Sequence, residues 1–250
     1  MQVKNAFLLF LITLLSVGHL FGNEENKEDV SIYLLPSNHP LQKQLKGLFT
    51  DPEMFEWPTY WNRAGFAVLD RVHRGFMVAS HPLVKNYLFK KLQNSTPPSE
   101  QLSNYLRRIK GARALSKFIQ DNHLKHIIVP QKWLYQLPKQ FADPKTNEST
   151  YILIVEKIDL YSKAELPNQY AHIKKGHLKE LCKVVYSFRG LDSVLHNMPF
   201  THQQKIAFID TERWERKREG FLHHVMPYLS HKKQAYARSV FQKLKKRNQN

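Results

Sequence analysis

Between Phe66 and Leu92 the chain carries three apolar stretches of strand length in close succession, "FAVLD", "GFMVAS" and "VKNYLFKKL". "RVHRG" supplies the first turn and "HP" falls in the second, so the segment reads as three consecutive strands. From Ser99 the spacing changes to that of a helix. Leu102, Tyr105, Leu106, Ile109, Leu115, Phe118 and Ile119 recur three and four residues apart, and "TPPS" supplies the start signal. Two apolar strand candidates follow, "HIIVP" and "YILIVEKI", joined by a polar loop around "FADPKTNEST". A second helical pattern runs through Leu178, Leu181, Cys182, Val185 and Phe188. A short strand, "KIAFID", then ends on Asp210, and the chain reads as helical from Trp214 into a basic tail, "FQKLKKRNQN". This order predicts an α+β chain with a small β-rich lobe followed by a small helical lobe. Strands are expected near 66–70, 74–79, 84–91, 126–130, 151–157 and 205–209, with a helix over 100–122.

The stretch before the last strand is chemically the most pointed. In "LDSVLHNMPFTHQQKIAFID", residues 191 to 210, three side chains can hold a metal ion or a proton: Asp192, Asn197 and Asp210. Read only as local structure, Asp192 and Asn197 are turn formers and Asp210 is a helix cap. Their offsets of 5 and 13 nevertheless set a carboxylate, an amide and a second carboxylate within one short stretch of chain that ends on a strand.

On these residues the chain resembles the protein-kinase-like superfamily, whose catalytic loop carries Asp, then Asn five residues on, then a metal-binding Asp thirteen further. The resemblance implies that Asp192 accepts the proton of an acceptor hydroxyl. Asn197 and Asp210 would chelate the Mg²⁺ that bridges the phosphates of ATP. It also asks for a strand lysine upstream. Lys90 in "YLFKKL" stands on the third strand as the phosphate contact, with Lys91 pointing to the opposite face. Glu156, closing "ILIVE", falls where the hinge begins, and there backbone groups hold the adenine.

The chain also departs from the pattern. Only Gly65 and Gly75 flank the first hairpin in place of a glycine-rich loop, and Gly190-Leu191 replace the histidine-arginine pair. Val194 replaces a lysine, and Asp210-Thr211-Glu212 replace Asp-Phe-Gly, closer to the Ile-Asp-x-Glu of small-molecule and atypical kinases. The long helix carries Arg108, Lys110 and Arg113 along its middle, and its only glutamate is Glu100 in the first turn. The implied architecture is a two-lobed kinase-like fold. It has a small antiparallel β lobe plus helix over 60–157 and a truncated helical C-lobe with a basic tail over 158–250. Residues 23–59 are expected to be a polar connector and aromatic-rich extension.

Composition sets the partners. Lys and Arg number 38 against 21 acids, a formal charge of +17, which favours anionic partners. No sequence-specific nucleic-acid motif is present. The last helix sets Ala235, Tyr236, Val240, Phe241 and Leu244 on one side and Lys/Arg on the other, which suits packing or an anionic membrane surface. The N-terminus opens with Lys4, runs apolar from Ala6 to Val17 and turns polar at Asn23, the pattern of a secretory signal peptide over 1–22. The exported protein would then be periplasmic or secreted, and an uncleaved membrane anchor is the alternative. Cys182, the one cysteine, lies in an apolar helical pattern and is expected in the core.

The function expected is therefore ATP/Mg²⁺-dependent phosphoryl transfer to a hydroxyl acceptor: protein, sugar or lipid headgroup. One alternative is a non-catalytic kinase-like module that binds nucleotide or a partner. The other is an exported basic protein on an anionic surface. Export sharpens the choice, since ATP must be supplied in the compartment the protein reaches.

Overall fold

The structure, a computed structural model, describes residues 29–51, 58–71, 76–92, 95–143, 145, 149–213 and 224–247. The expected leader over 1–22, most of the first turn of the β region, the helix expected from Trp214 to 223 and the last three tail residues lie outside them. Asp29 to Ile32 are the described part of a first unit, in which Asp29 Oδ1 accepts a hydrogen bond from Ser31 N at 2.9 Å. The described residues from Tyr33 onward form a second unit.

That second unit is mixed α+β. Helices α1 (Leu41–Leu48) and α2 (Pro58–Arg63) precede strands β1 (Ala67–Arg71), β2 (Phe76–Ser80) and β3 (Tyr87–Leu92). The long helix α3 (Pro98–Asp121) follows, then β4 (Ile127–Ile128), β5 (Lys132–Gln136) and β6 (Tyr151–Glu156). Helices α4 (Leu166–Ala171) and α5 (Lys175–Ser187), strand β7 (Ile206–Ala207) and helix α6 (His231–Arg247) complete it. Five strands form one antiparallel sheet in the order β1-β2-β3-β6-β5, while β4 and β7 make a separate parallel pair.

Side-chain alternation gives the sheet two different faces. Met77, Ala79, Phe89, Ile152 and Ile154 point to one side, into a core shared with Leu41, Leu45, Phe49, Trp61 and Phe66. Each large apolar side chain so buried is worth roughly 1.5–3 kcal/mol. Val78, Lys90, Leu153 and Leu134 are cross-strand neighbours on the other side, beside the row Leu88, Val155 and Lys132. Helix α3 packs against β5 and β6. A second core, around Leu115, Tyr170, Leu178, Leu181, Cys182 and Phe208, holds the helical part together. Cys182 is fully buried there, and burial pushes its thiol up to about 12.

Two sequence expectations change. The segment over 23–59 is more than connector and extension, because Leu41, Leu45 and Leu48 form an i, i+4, i+7 stripe on α1 that enters the sheet's core. Between the expected strands "HIIVP" and "YILIVEKI" lies a further strand, β5. It pairs with β6 and takes the sheet edge, whereas "HIIVP" contributes only the short parallel pair. The lysine at Lys132 hid this strand, since it occupies an inward position where alternation calls for an apolar residue. Among the described residues no helix is long and apolar enough to cross a membrane.

Lys91 sits beside Met77 and Phe89 on the face that shares its core with Leu41 and Phe49, only 4% exposed, with Nζ donating to Leu92 O at 3.3 Å. Burial lowers its pKa from 10.5 to about 8. Below about pH 8 folded and unfolded chains both carry the charge, and the cost of burying it is fully present. Between about 8 and 10.5 the folded chain loses the proton first, so stability rises with pH. The gap corresponds to about 3 kcal/mol at most. Lys91→Met is therefore expected to raise the unfolding free energy at pH 7 by about 2–3 kcal/mol, with the gain vanishing above pH 10.5. Urea denaturation of both proteins at the two pH values measures it, and a pH-independent difference would contradict burial as the cause.

Candidate active site

The segment that carries the candidate residues is pinned by backbone pairing. Residues 197–200 run against 206–209: Ile209 N donates to Asn197 O at 3.1 Å and Ala207 N to Pro199 O at 2.8 Å. On the other side Ile206 N donates to His126 O and Phe208 N to Ile128 O. Asn197 and Asp210 are thereby brought to neighbouring positions at the end of β7. Asp192 precedes them, exposed, but flanked by the buried Leu191 and Ser193.

These loops close one wall of a cleft of about 700 Å³. Its opposite wall is the sheet face bearing Val78, Leu88, Lys90 and Val155, and Glu156, Ile158 and Leu160 lie where the two walls meet. All five candidate residues, Lys90, Glu156, Asp192, Asn197 and Asp210, line this cleft. The Glu156 carboxylate accepts from Gln131 N at 3.1 Å, so that side chain is committed to the fold. The apolar wall suits a flat ring, and the opposite end concentrates charge.

Sequence reading missed the residues that organise the charged end. Arg108 projects from α3, 8% exposed at its side chain, and its Nη1 lies 2.7 Å from Asp210 Oδ1 while Nη2 lies 2.7 Å from Glu212 Oε2. Its Nε donates to Asn104 Oδ1 at 3.0 Å, and its guanidinium stands 4.5 Å from the centre of the Phe76 ring. Lys132 Nζ, buried, donates to Thr211 Oγ1 at 2.7 Å and to Ile209 O at 3.1 Å. Thr211 Oγ1 in turn donates to Arg108 O at 2.6 Å. The Asp-Thr-Glu segment is thus tied to both α3 and β5. A signal for Arg108 was present: Gln101, Tyr105, Arg108, Ala112 and Leu115 are all buried, at spacings of 4, 3, 4 and 3, so a guanidinium lies on the helix's inward stripe.

The charges shift one another. Burial acts to raise the Asp210 pKa, but Arg108, Lys90 and Lys132 together with the Glu212 N–H outweigh it and hold the carboxyl below its ordinary value. Lys132 is held well below the usual lysine range, first by burial and then by the charge of Lys90.

The donor set can be tested against a metal. Asp210 and the neighbouring Asn197 offer hard oxygen ligands on adjacent loops, which fits a Mg²⁺-like ion that takes its remaining ligands from phosphate and water. Among the described residues no group of three or more His, Cys, Asp or Glu could hold an ion alone. Within the described residues the two ligands fit an ion that shares its coordination with a bound anion.

No protein-family model matches the chain, and no curated protein does. One solved structure it is similar to is that of amicoumacin kinase hAmiN in complex with AMP-PNP, Ca²⁺ and Ami. That likeness covers 81% of this chain and 79% of the other at 12% identity and a TM-score of 0.39, too distant to decide function.

Proposed function

We propose that the chain is a minimal, divergent member of the protein-kinase-like superfamily that transfers a phosphoryl group from ATP to a hydroxyl acceptor. The observation that carries the reading is the convergence of Lys90, from β3, with Asp192, Asn197 and Asp210, from the stretch 191–210, on one cleft. In this reading the nucleotide base lies against Val78, Leu88 and Val155, held by backbone near Glu156, and Lys90 binds phosphate. Asp192 takes the proton of the acceptor hydroxyl as its oxygen bonds to the γ-phosphorus, while the bond to the β-phosphate oxygen breaks and ADP leaves. Asn197 and Asp210 hold Mg²⁺, which supplies neutralising charge to the phosphates. Lys132 and Thr211 keep the Asp210 segment in place. The test is binding of ATP with and without Mg²⁺, followed by γ-phosphate turnover to water or to an acceptor hydroxyl. Affinity that Mg²⁺ leaves unchanged, with no turnover, would sink the reading.

A non-catalytic nucleotide-binding module is the second reading, favoured by the ion pair between Arg108 and Asp210. The same binding experiment separates the two, since the module binds without turnover. Anionic surfaces are a third kind of partner. Helix α6 bears seven Lys or Arg and no acid, but Tyr236, Val240 and Phe241 pack on the helical core, so a membrane would meet charge and not an apolar face. Binding to anionic vesicles that 0.5 M salt fails to reverse would contradict a purely electrostatic contact. Export through residues 1–22 belongs to the proposal as well. Exported protein should begin near Asn23, and a mature chain starting at Met1 would count against cleavage.

A further inference from the structure

Asp210 is already paired with a cation of the chain itself. The three guanidinium nitrogens of Arg108 are engaged by Asp210, Glu212 and Asn104, at 2.7, 2.7 and 3.0 Å. Asn104 Nδ2 also donates to Glu212 Oε1 at 3.1 Å, and Glu212 N donates to Asp210 Oδ1 at 3.2 Å. With its side chain 8% exposed and Phe76 against one face, the guanidinium is held in a single orientation. A divalent ion arriving at Asp210 meets this fixed positive charge on the carboxylate it needs.

We infer that Arg108 is an internal counter-ion that competes with the metal for Asp210, and that Glu212 is the positioning residue that moderates the competition. Glu212 draws the guanidinium toward itself, so Asp210 shares Arg108 instead of holding it alone. The inference rests on the metal role proposed for Asp210. It gives the two residues opposite effects on metal affinity, although both belong to one ion-pair network. Loss of Arg108 releases Oδ1 and favours the ion. Loss of the Glu212 charge leaves Asp210 as the only carboxylate on the guanidinium and disfavours it. Both changes act through the same contact, so they cannot be additive.

The experiment is Mn²⁺ titration of the full chain, alone and with a non-hydrolysable ATP analogue, read by the paramagnetic signal of the free ion. Arg108→Gln is expected to tighten Mn²⁺ by about tenfold and Glu212→Gln to weaken it by about tenfold, the range that groups around metal ligands command. The double variant should match Arg108→Gln. Arg107→Gln removes an equal charge at an exposed position 3.4 Å from Glu212, and should change little. Arg108→Lys keeps the charge but cannot bridge two carboxylates, so it should tighten Mn²⁺ by a smaller factor, and it serves if the glutamine variant does not fold. Weaker Mn²⁺ in Arg108→Gln, additive effects in the double variant, or an equal response to Arg107→Gln would each overturn the inference. So would wild-type affinity in Arg108→Lys. If Mn²⁺ binding is indifferent to Asp210→Ala, the metal reading fails and this inference with it. Asp210-dependent binding that ignores Arg108 defeats the inference alone.

Discussion

Replacing Asp192 by alanine is expected to cut γ-phosphate turnover by about 10²–10⁴-fold, the usual worth of a positioned general base, while nucleotide affinity stays within about threefold. The separation follows from position. Asp192 lies on the loop wall of the cleft, exposed, whereas Lys90 and Asp210 stand at the charged end. Its backbone is fixed by its neighbours and not by its carboxylate, with Leu191 and Ser193 buried and Leu191 N bonded to Phe188 O at 3.0 Å. Removing an exposed carboxylate there should change stability by no more than about 0.5 kcal/mol. Asp192→Asn keeps the shape and loses the base, so it should fall as far. Single-turnover rates beside nucleotide dissociation constants decide the matter. Equal loss of binding and turnover would make Asp192 a nucleotide contact, and unchanged turnover would remove it from the chemistry.

How much of this was legible depends on whether a signal was local. Strands β1, β2, β3 and β6 and helix α3 followed from period alone, because each carries its own apolar pattern. The triplet Asp192, Asn197 and Asp210 stood out because its spacing resembles that of the kinase-like superfamily, and the fold sets all three on one cleft. The roles of Arg108 and Lys132 were not legible. A buried charge breaks the very pattern used to find an element, so Lys132 concealed β5, and Arg108, although it falls on the stripe of Tyr105 and Leu115, read as one of three cations along the middle of its helix. Their partners lie 77 to 104 residues away in the chain, and only the assembled fold brings them together. Sequence reading gave the Asp210 carboxylate the role of a metal ligand or a helix cap, and no partner across the fold. The ion pair to a nearly buried guanidinium gives it one.

That partner changes what Asp210→Ala should do. The proposed metal site would lose its only carboxylate, so the gain in nucleotide affinity conferred by Mg²⁺ should fall by about 10²-fold or more, with metal-free affinity little changed. The fold should also weaken. Breaking a fully buried pair by removing one partner costs about 3–5 kcal/mol. Here Glu212 still holds Arg108, and the Asp210 side chain is 33% exposed, so solvent screening reduces the loss to about 1–2 kcal/mol. Asp210→Asn separates the two effects. Its amide oxygen can still accept from Arg108, so stability should largely return, while the charge that draws Mg²⁺ stays absent. Asn197→Ala should lower the Mg²⁺ effect only in part, since Asp210 and the phosphates remain as ligands. Calorimetric titration of ATP with and without Mg²⁺, run beside thermal melts, reads both axes at once. An asparagine variant that regains stability without regaining Mg²⁺ dependence assigns Asp210 both roles. One that regains both would mean that the carboxylate's charge is not what the metal needs, and the kinase-like reading of the Asp-Thr-Glu segment would fall.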